Sequence, residues 1–164
     1  MTYSPNDGFP YYLDLMEEKN LDTLFAARFT ESIIEQLDDE KAQHRYAPNK
    51  WSIKEVIGHI TDHERIKMHR AFLLSRKMPV QLWGYDQDKL IFNSRFDVLP
   101  LTQIRQDYLN VRQASISLIE SFSADQLDIQ GTANRHIVSL ADFIRTVIGH
   151  ERHHVRILEE RYLN

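Results

Sequence analysis

Three histidines fall within five residues near the end of the chain, in the run Gly149-His150-Glu151-Arg152-His153-His154-Val155. On a helix, His150 and His154 stand one turn apart on the same side, close enough to hold one metal ion together. A second pair at the same spacing, His59 and His63, lies in Gly58-His59-Ile60-Thr61-Asp62-His63-Glu64. Three imidazoles from two helices can form a facial set around a divalent ion and leave at least one coordination position open, an arrangement suited to catalysis. Glu64, Glu151 and His63 stand beside these positions as possible proton carriers. Cysteine is absent, which removes disulfides, thiolate ligands and a protein thiol nucleophile, so any thiol chemistry needs an external thiol.

The elements that must position these side chains read as helices. Only five glycines and five prolines punctuate 164 residues, and apolar residues recur between them at three- and four-residue intervals. The pattern predicts a first helix from near Leu21 to about Leu37, with Leu21, Leu24, Phe25, Phe29, Ile33 and Leu37 as its stripe. A turn of helix around Tyr11 to Met16 precedes it. Ser52-Ile53-Lys54-Glu55 has capping-box form and opens a second helix, which runs to about Lys77 and is stopped by Pro79. A loop through Trp83, Gly84, Tyr85 and Asp86 leads to a third helix, roughly Leu101 to Phe122. Thr102 is its candidate cap, with Ile104, Tyr108, Val111, Ile116 and Leu118 on the apolar side. Gln130-Gly131-Thr132-Ala133-Asn134 reads as a loop, and Ser139 caps a fourth helix to about Leu163. Few strands are expected. Four helices joined by loops most simply pack as an all-α four-helix bundle, and this length suits one domain over 1–164.

A net charge of −4 offers no electrostatic reason to bind nucleic acid or an acidic membrane. The N-terminal run has no signal-peptide form and no long apolar segment follows, so a cytoplasmic protein with a small-molecule substrate is expected.

Helical arithmetic then sorts the histidines. On the fourth helix, Leu140, Phe143, Ile144, Val147, Val155 and Leu158 define the buried direction. His154 lies about 50° from it, His150 about 90° and His153 about 150°, which turns the first two inward and His153 toward solvent. Glu151 falls near the centre of the apolar arc, where a lone carboxylate is costly, so a histidine N–H or an arginine should meet it. Glu64 and Glu151 can equally be read as ion-pair partners of arginines such as Arg70 or Arg145. On the second helix, the arc of Ile53, Val56, Ile57 and Ile60 puts His63 about 70° and His59 about 110° from its centre. Periodicity thus slightly favours His63 and leaves the choice open. His44, His69, His136 and His153 read as surface or capping residues, and Trp51, Trp83 and Tyr85 as packing.

The run Trp51-Ser52-Ile53-Lys54-Glu55-Val56-Ile57-Gly58-His59-Ile60-Thr61-Asp62-His63-Glu64, followed near the C-terminus by His150-Glu151-Arg152-His153-His154, resembles the signature of the DinB/YfiT-like superfamily. The resemblance implies a four-helix bundle holding a divalent metal, zinc or nickel, with one histidine from the second helix and an H-x-x-x-H pair from the fourth. Carried over by position, the metal ligands are His59, His150 and His154, with His63 a neighbour able to bond to bound solvent or add a fourth contact. The loop from Trp83 to Asp88 resembles the family segment that skirts the metal pocket. The family also implies an enzyme that transfers a low-molecular-weight thiol cosubstrate, such as bacillithiol, mycothiol or glutathione, to an electrophile. Thiol transfer stands slightly ahead, because no residue is an obvious hydrolytic base. The alternative is a metal-dependent hydrolase with Glu64, Glu151 or His63 carrying protons. A third reading is a stress-associated metal-binding bundle without turnover, forming a homodimer to which Tyr11, Tyr12 and Leu13 contribute.

Overall fold

The computed structural model describes residues 3–78, 84–133 and 136–163; Pro79, Trp83 and Asn134, read above as a helix stop and loop residues, lie outside them. In chain order the helices are α1 (Phe9–Asp14), α2 (Leu21–Ala26), α3 (Phe29–Ile34), α4 (Ile53–Ser75), α5 (Gln87–Phe92), α6 (Leu101–Glu120), α7 (Ala124–Leu127) and α8 (Leu140–Arg161). The α2–α3 segment, α4, α6 and α8 form a four-helix bundle, with α4 packed on both α6 and α8 and α1 laid across α8. No helix among the described residues is long and apolar enough to cross a membrane.

The helices begin where their caps stand. Ser52 and Glu55 close a reciprocal capping box, Ser52 Oγ accepting from Glu55 N at 3.2 Å and Glu55 Oε2 from Ser52 N at 2.8 Å. Ser139 Oγ accepts from Asp142 N at the start of α8. Thr102 does not cap α6. Pro100 occupies the cap position, and the amide of Leu101 instead donates to Asp39 Oδ1, a carboxylate far away in sequence that also takes Lys54 Nζ.

Two expectations about elements need correction. The segment read as a loop at 130–134 carries strand β1 (Gln130–Ala133), which pairs antiparallel with β2 (His136–Ser139) and leads directly into α8. The expected first helix is broken in two at Arg28, which adopts a left-handed conformation with φ 44°. The break has a use in the core: a continuous helix would bind the Thr30 amide to a carbonyl one turn back. Released from that ladder, Thr30 N donates instead to Glu151 Oε1 at 2.9 Å, and the Phe25 carbonyl accepts from Arg112 at 3.4 Å.

Two apolar clusters fill the bundle. One gathers Phe25, Met68, Ile119, Leu140, Phe143, Ile144 and Ile148, and the other Ile33, Ile53, Ile57, Ile60, Ile104, Val155 and Leu158. Along α4, α6 and α8 the residues between them are His59, His63 and Glu64, then Arg112, then His150, Glu151 and His154. The bundle is therefore interrupted by one polar layer.

Candidate metal centre

α4 and α8 meet at the polar layer and bring three Nε2 atoms together. His59 Nε2 lies 3.0 Å from His150 Nε2, and His154 Nε2 lies 3.1 Å from that same atom. One donor nitrogen from each ring lies within 4.8 Å of the other two. A neutral ring nitrogen carries either one proton or one lone pair, so His150 Nε2 can complete only one of its two contacts as a linear hydrogen bond. A shared cation satisfies all three, and nitrogens about 2.1 Å from one ion stand roughly 3 Å apart or slightly more.

The protonation states agree with that set. Burial pushes the His59 imidazole down to about 4, and burial together with neighbouring imidazoles holds His150 and His154 well below the usual histidine range. All three are neutral at physiological pH, the form that binds metal. With Nε2 facing its partners, each ring presents Nδ1 outward, and that of His150 has no hydrogen-bond partner among the described residues.

His63 is the fourth imidazole. Its ring stacks on His150 with centroids 3.6 Å apart and planes within 10°. Its Nδ1 lies 2.5 Å from the Tyr85 hydroxyl, while its Nε2 is buried without a partner among the described residues. Tyr85 is therefore more than a packing residue. Trp51 packs on His59, and the Tyr12 ring meets His150 edge-on at 5.3 Å. Gly149 makes that last contact possible: a Cβ there would stand 2.1 Å from the Tyr12 carbonyl oxygen, so only glycine lets α1 settle beside His150.

His153 departs from its expected place in open solvent. It is half-buried under α1, with Nδ1 3.0 Å from the Tyr11 hydroxyl and edge contacts to both Tyr11 and Tyr12. The rings of Tyr11 and Tyr12 are thereby used within the chain, and Tyr11 is buried.

Glu64 and Glu151 point away from the imidazoles into an ion cluster centred on Arg112, which takes the place expected for Arg70 or Arg145. Arg112 is fully buried; it donates to Glu64 Oε2 at 2.9 Å and Oε1 at 3.1 Å, and to Glu151 Oε2 at 2.7 Å. Glu151 Oε1 also accepts from Thr30 Oγ1 and the Tyr108 hydroxyl, both at 2.7 Å. Burial alone would raise the Glu151 carboxyl, but Arg112 and these donors hold it below its usual range. Arg112, Tyr108 and Thr30 were not singled out as polar partners in the sequence, although a signal was present. Arg112 falls in the register of Leu101, Ile104, Tyr108, Ser115 and Ile119, the buried stripe of α6, while Val111, Ile116 and Leu118 are only part-buried.

Comparison with known proteins agrees with the architecture. The profile of the DinB superfamily matches residues 25–158. Among solved structures, YfiT from Bacillus subtilis, described as a probable metal-dependent hydrolase with an unusual four-helix bundle topology, superposes with a TM-score of 0.71. The match covers 98% of this chain and 89% of that one at 13% identity, a likeness of fold. No curated protein matches the chain.

Proposed function

The chain belongs to the DinB superfamily, and on that premise we propose that it is a metal-dependent hydrolase of a small-molecule substrate, with His59, His150 and His154 holding a divalent ion, zinc or nickel. The observation that carries this reading is the convergence of three neutral imidazoles, two buried and one part-buried, on one point. A divalent ion bound there supplies Lewis acidity and lowers the pKa of water from about 16 toward about 7.

The chain's own residues do the rest. Neutral His63, oriented by Tyr85 and stacked on His150, has no partner for Nε2 among the described residues and is placed to exchange a proton with the nucleophile. That placement supplies the hydrolytic base that the sequence pattern alone leaves unidentified. The description of YfiT as a hydrolase points the same way. Glu64 and Glu151 serve as fixed counter-charges for Arg112 rather than as proton carriers. Thiol transfer remains as the second reading, supported by the absence of cysteine and by the affinity of such a site for an external thiolate.

Elemental analysis of protein purified without a histidine tag tests the metal. A stoichiometric divalent ion should persist in His153→Ala and disappear in His59→Ala and His150→Ala; equal retention in all three would overturn the assignment. Ester and amide substrates should turn over without added thiol, and His63→Ala should lose roughly a hundredfold in kcat while keeping the metal. Turnover only with bacillithiol or glutathione present would replace hydrolysis by thiol transfer.

A further inference from the structure

α4 carries two cations beyond His63. His59, His63, Lys67 and Arg70 fall within about 80° of arc, so one face of the helix runs from the imidazoles to an ammonium and a guanidinium. α8 passes antiparallel beside it. His59 and His63 meet His150, while Lys67 lies over Phe143, two turns earlier on α8, with Nζ 3.9 Å from the ring centroid. The Lys67 ammonium is thus seated two turns of α8 from His150, on the same face of α4 as the imidazoles. Arg70 stands 6.0 Å from the Tyr85 ring, whose hydroxyl touches His63.

Lys67 differs from the other sequestered cations. Lys54 is paired with Asp39, Arg145 with Asp142, and Arg112 with two carboxylates. Lys67 is part-buried and, among the described residues, has its aromatic contact but no hydrogen bond and no carboxylate within ion-pair reach. Glu64, one turn before it, is held by Arg112. Burial and the nearby Arg70 push the Lys67 ammonium down to about 7.

We propose that Lys67 binds the anionic group, a carboxylate or phosphate, of the small-molecule substrate whose reacting end lies at the three imidazoles. An anion would give the ammonium its missing partner in a place partly shielded from water, where a charge-assisted hydrogen bond is stronger than at the surface. Lys67 follows His59 by eight positions, about 12 Å of helix axis. A small acid with an electrophilic carbon at its far end fits that span. The proposal rests on the metal-enzyme reading for the reacting end only, since the cation face is independent of bound metal.

The test uses the full chain, metal-free and metal-loaded, with benzoate and inorganic phosphate as anionic probes and benzamide as the neutral match for benzoate. Lysine Cε resonances followed by NMR report on Lys67, assigned by its loss in Lys67→Met. Benzoate or phosphate, but not benzamide, should raise the titration of Lys67 in both forms of the protein. It should bind Lys67→Met at least about tenfold more weakly than wild type, with Lys67→Arg between them. The tighter probe identifies carboxylate or phosphate as the natural group. An unmoved Lys67 resonance with both anions, or equal affinity in wild type and Lys67→Met, overturns the proposal. A chain that takes up no metal while benzoate still moves Lys67 defeats the metal reading and leaves this one standing. A chain that binds metal while Lys67 ignores both anions does the reverse.

Discussion

The polar layer has two halves built from the same two helices. Adjacent residues on a helix point about 100° apart, so His63 and Glu64 on α4, like His150 and Glu151 on α8, feed opposite sides of the layer. On the Arg112 side every carboxylate oxygen of Glu64 and Glu151 has a donor. On the histidine side His63 Nε2 and His150 Nδ1 have no partner among the described residues, and one Nε2 is shared between two others. Arg112, Glu64, Glu151, His59 and His150 are buried and His63 and His154 part-buried, so burial alone does not separate the halves. Completeness does: a satisfied network holds a fold in register, whereas a set of neutral donors left facing one another is a place prepared for something else.

The sharpest way to break this contrast is to open the closed half. Arg112→Met leaves two carboxylates buried without a counter-charge and should lower unfolding stability by about 3–5 kcal/mol, read from urea denaturation. Adding Glu64→Gln and Glu151→Gln removes the stranded charges and should restore part of that loss. A single mutant within 1 kcal/mol of wild type would show that the cluster has no structural role, and the distinction between the halves would fall.

Acid should find the other half first. In the metal-free protein His59 titrates near 4, below the histidine value of 6.5 that the unfolded chain retains. Between those values the unfolded state binds more protons, so stability is fully present above about 6.5 and falls as pH drops toward 4, by on the order of 3 kcal/mol from this residue. Glu151, held below its usual range by Arg112, takes up its proton later than a free glutamate as the pH falls. Urea midpoints against pH for wild type and His59→Ala measure the difference. Coincident profiles would place the acid sensitivity elsewhere.

Much of this was legible in the chain before any coordinates, and the reasons are physical. Ser52 and Ser139 announced α4 and α8 because a capping hydroxyl is a local device, satisfied within three residues. The paired spacing of His150 and His154 was equally local. The third imidazole was not: His59 and His63 sit at the edges of one arc, and which Nε2 meets His150 depends on how α4 is rotated against α8. The break at Arg28 was illegible for a similar reason. No glycine or proline marks it, and the donors it releases matter only because Glu151 and Arg112 arrive from distant parts of the chain. The α6 cap followed the same rule, since Asp39 supplies it from far away in sequence while Thr102 remains inside the helix.

The broken helix offers the finest test of the closed half, because Thr30 presents two donors to Glu151 and they can be separated. Thr30→Val keeps the shape and the amide and removes only Oγ1, while Tyr108 and Arg112 stay in place. One charge-assisted bond lost from a network with other donors should lower stability by about 1–2 kcal/mol. Metal content should not change, since Thr30 faces away from the imidazoles through Glu151. Ser32→Ala is the matched control: its hydroxyl bonds the Phe29 carbonyl on the exposed side of the same helix, where a loss of about 0.5 kcal/mol or less is expected. If Thr30→Val were no worse than Ser32→Ala, the left-handed turn at Arg28 would need another explanation than delivering donors to Glu151. If Thr30→Val instead stripped the metal, the two halves of the layer would be one coupled network and the boundary between them would have to be withdrawn.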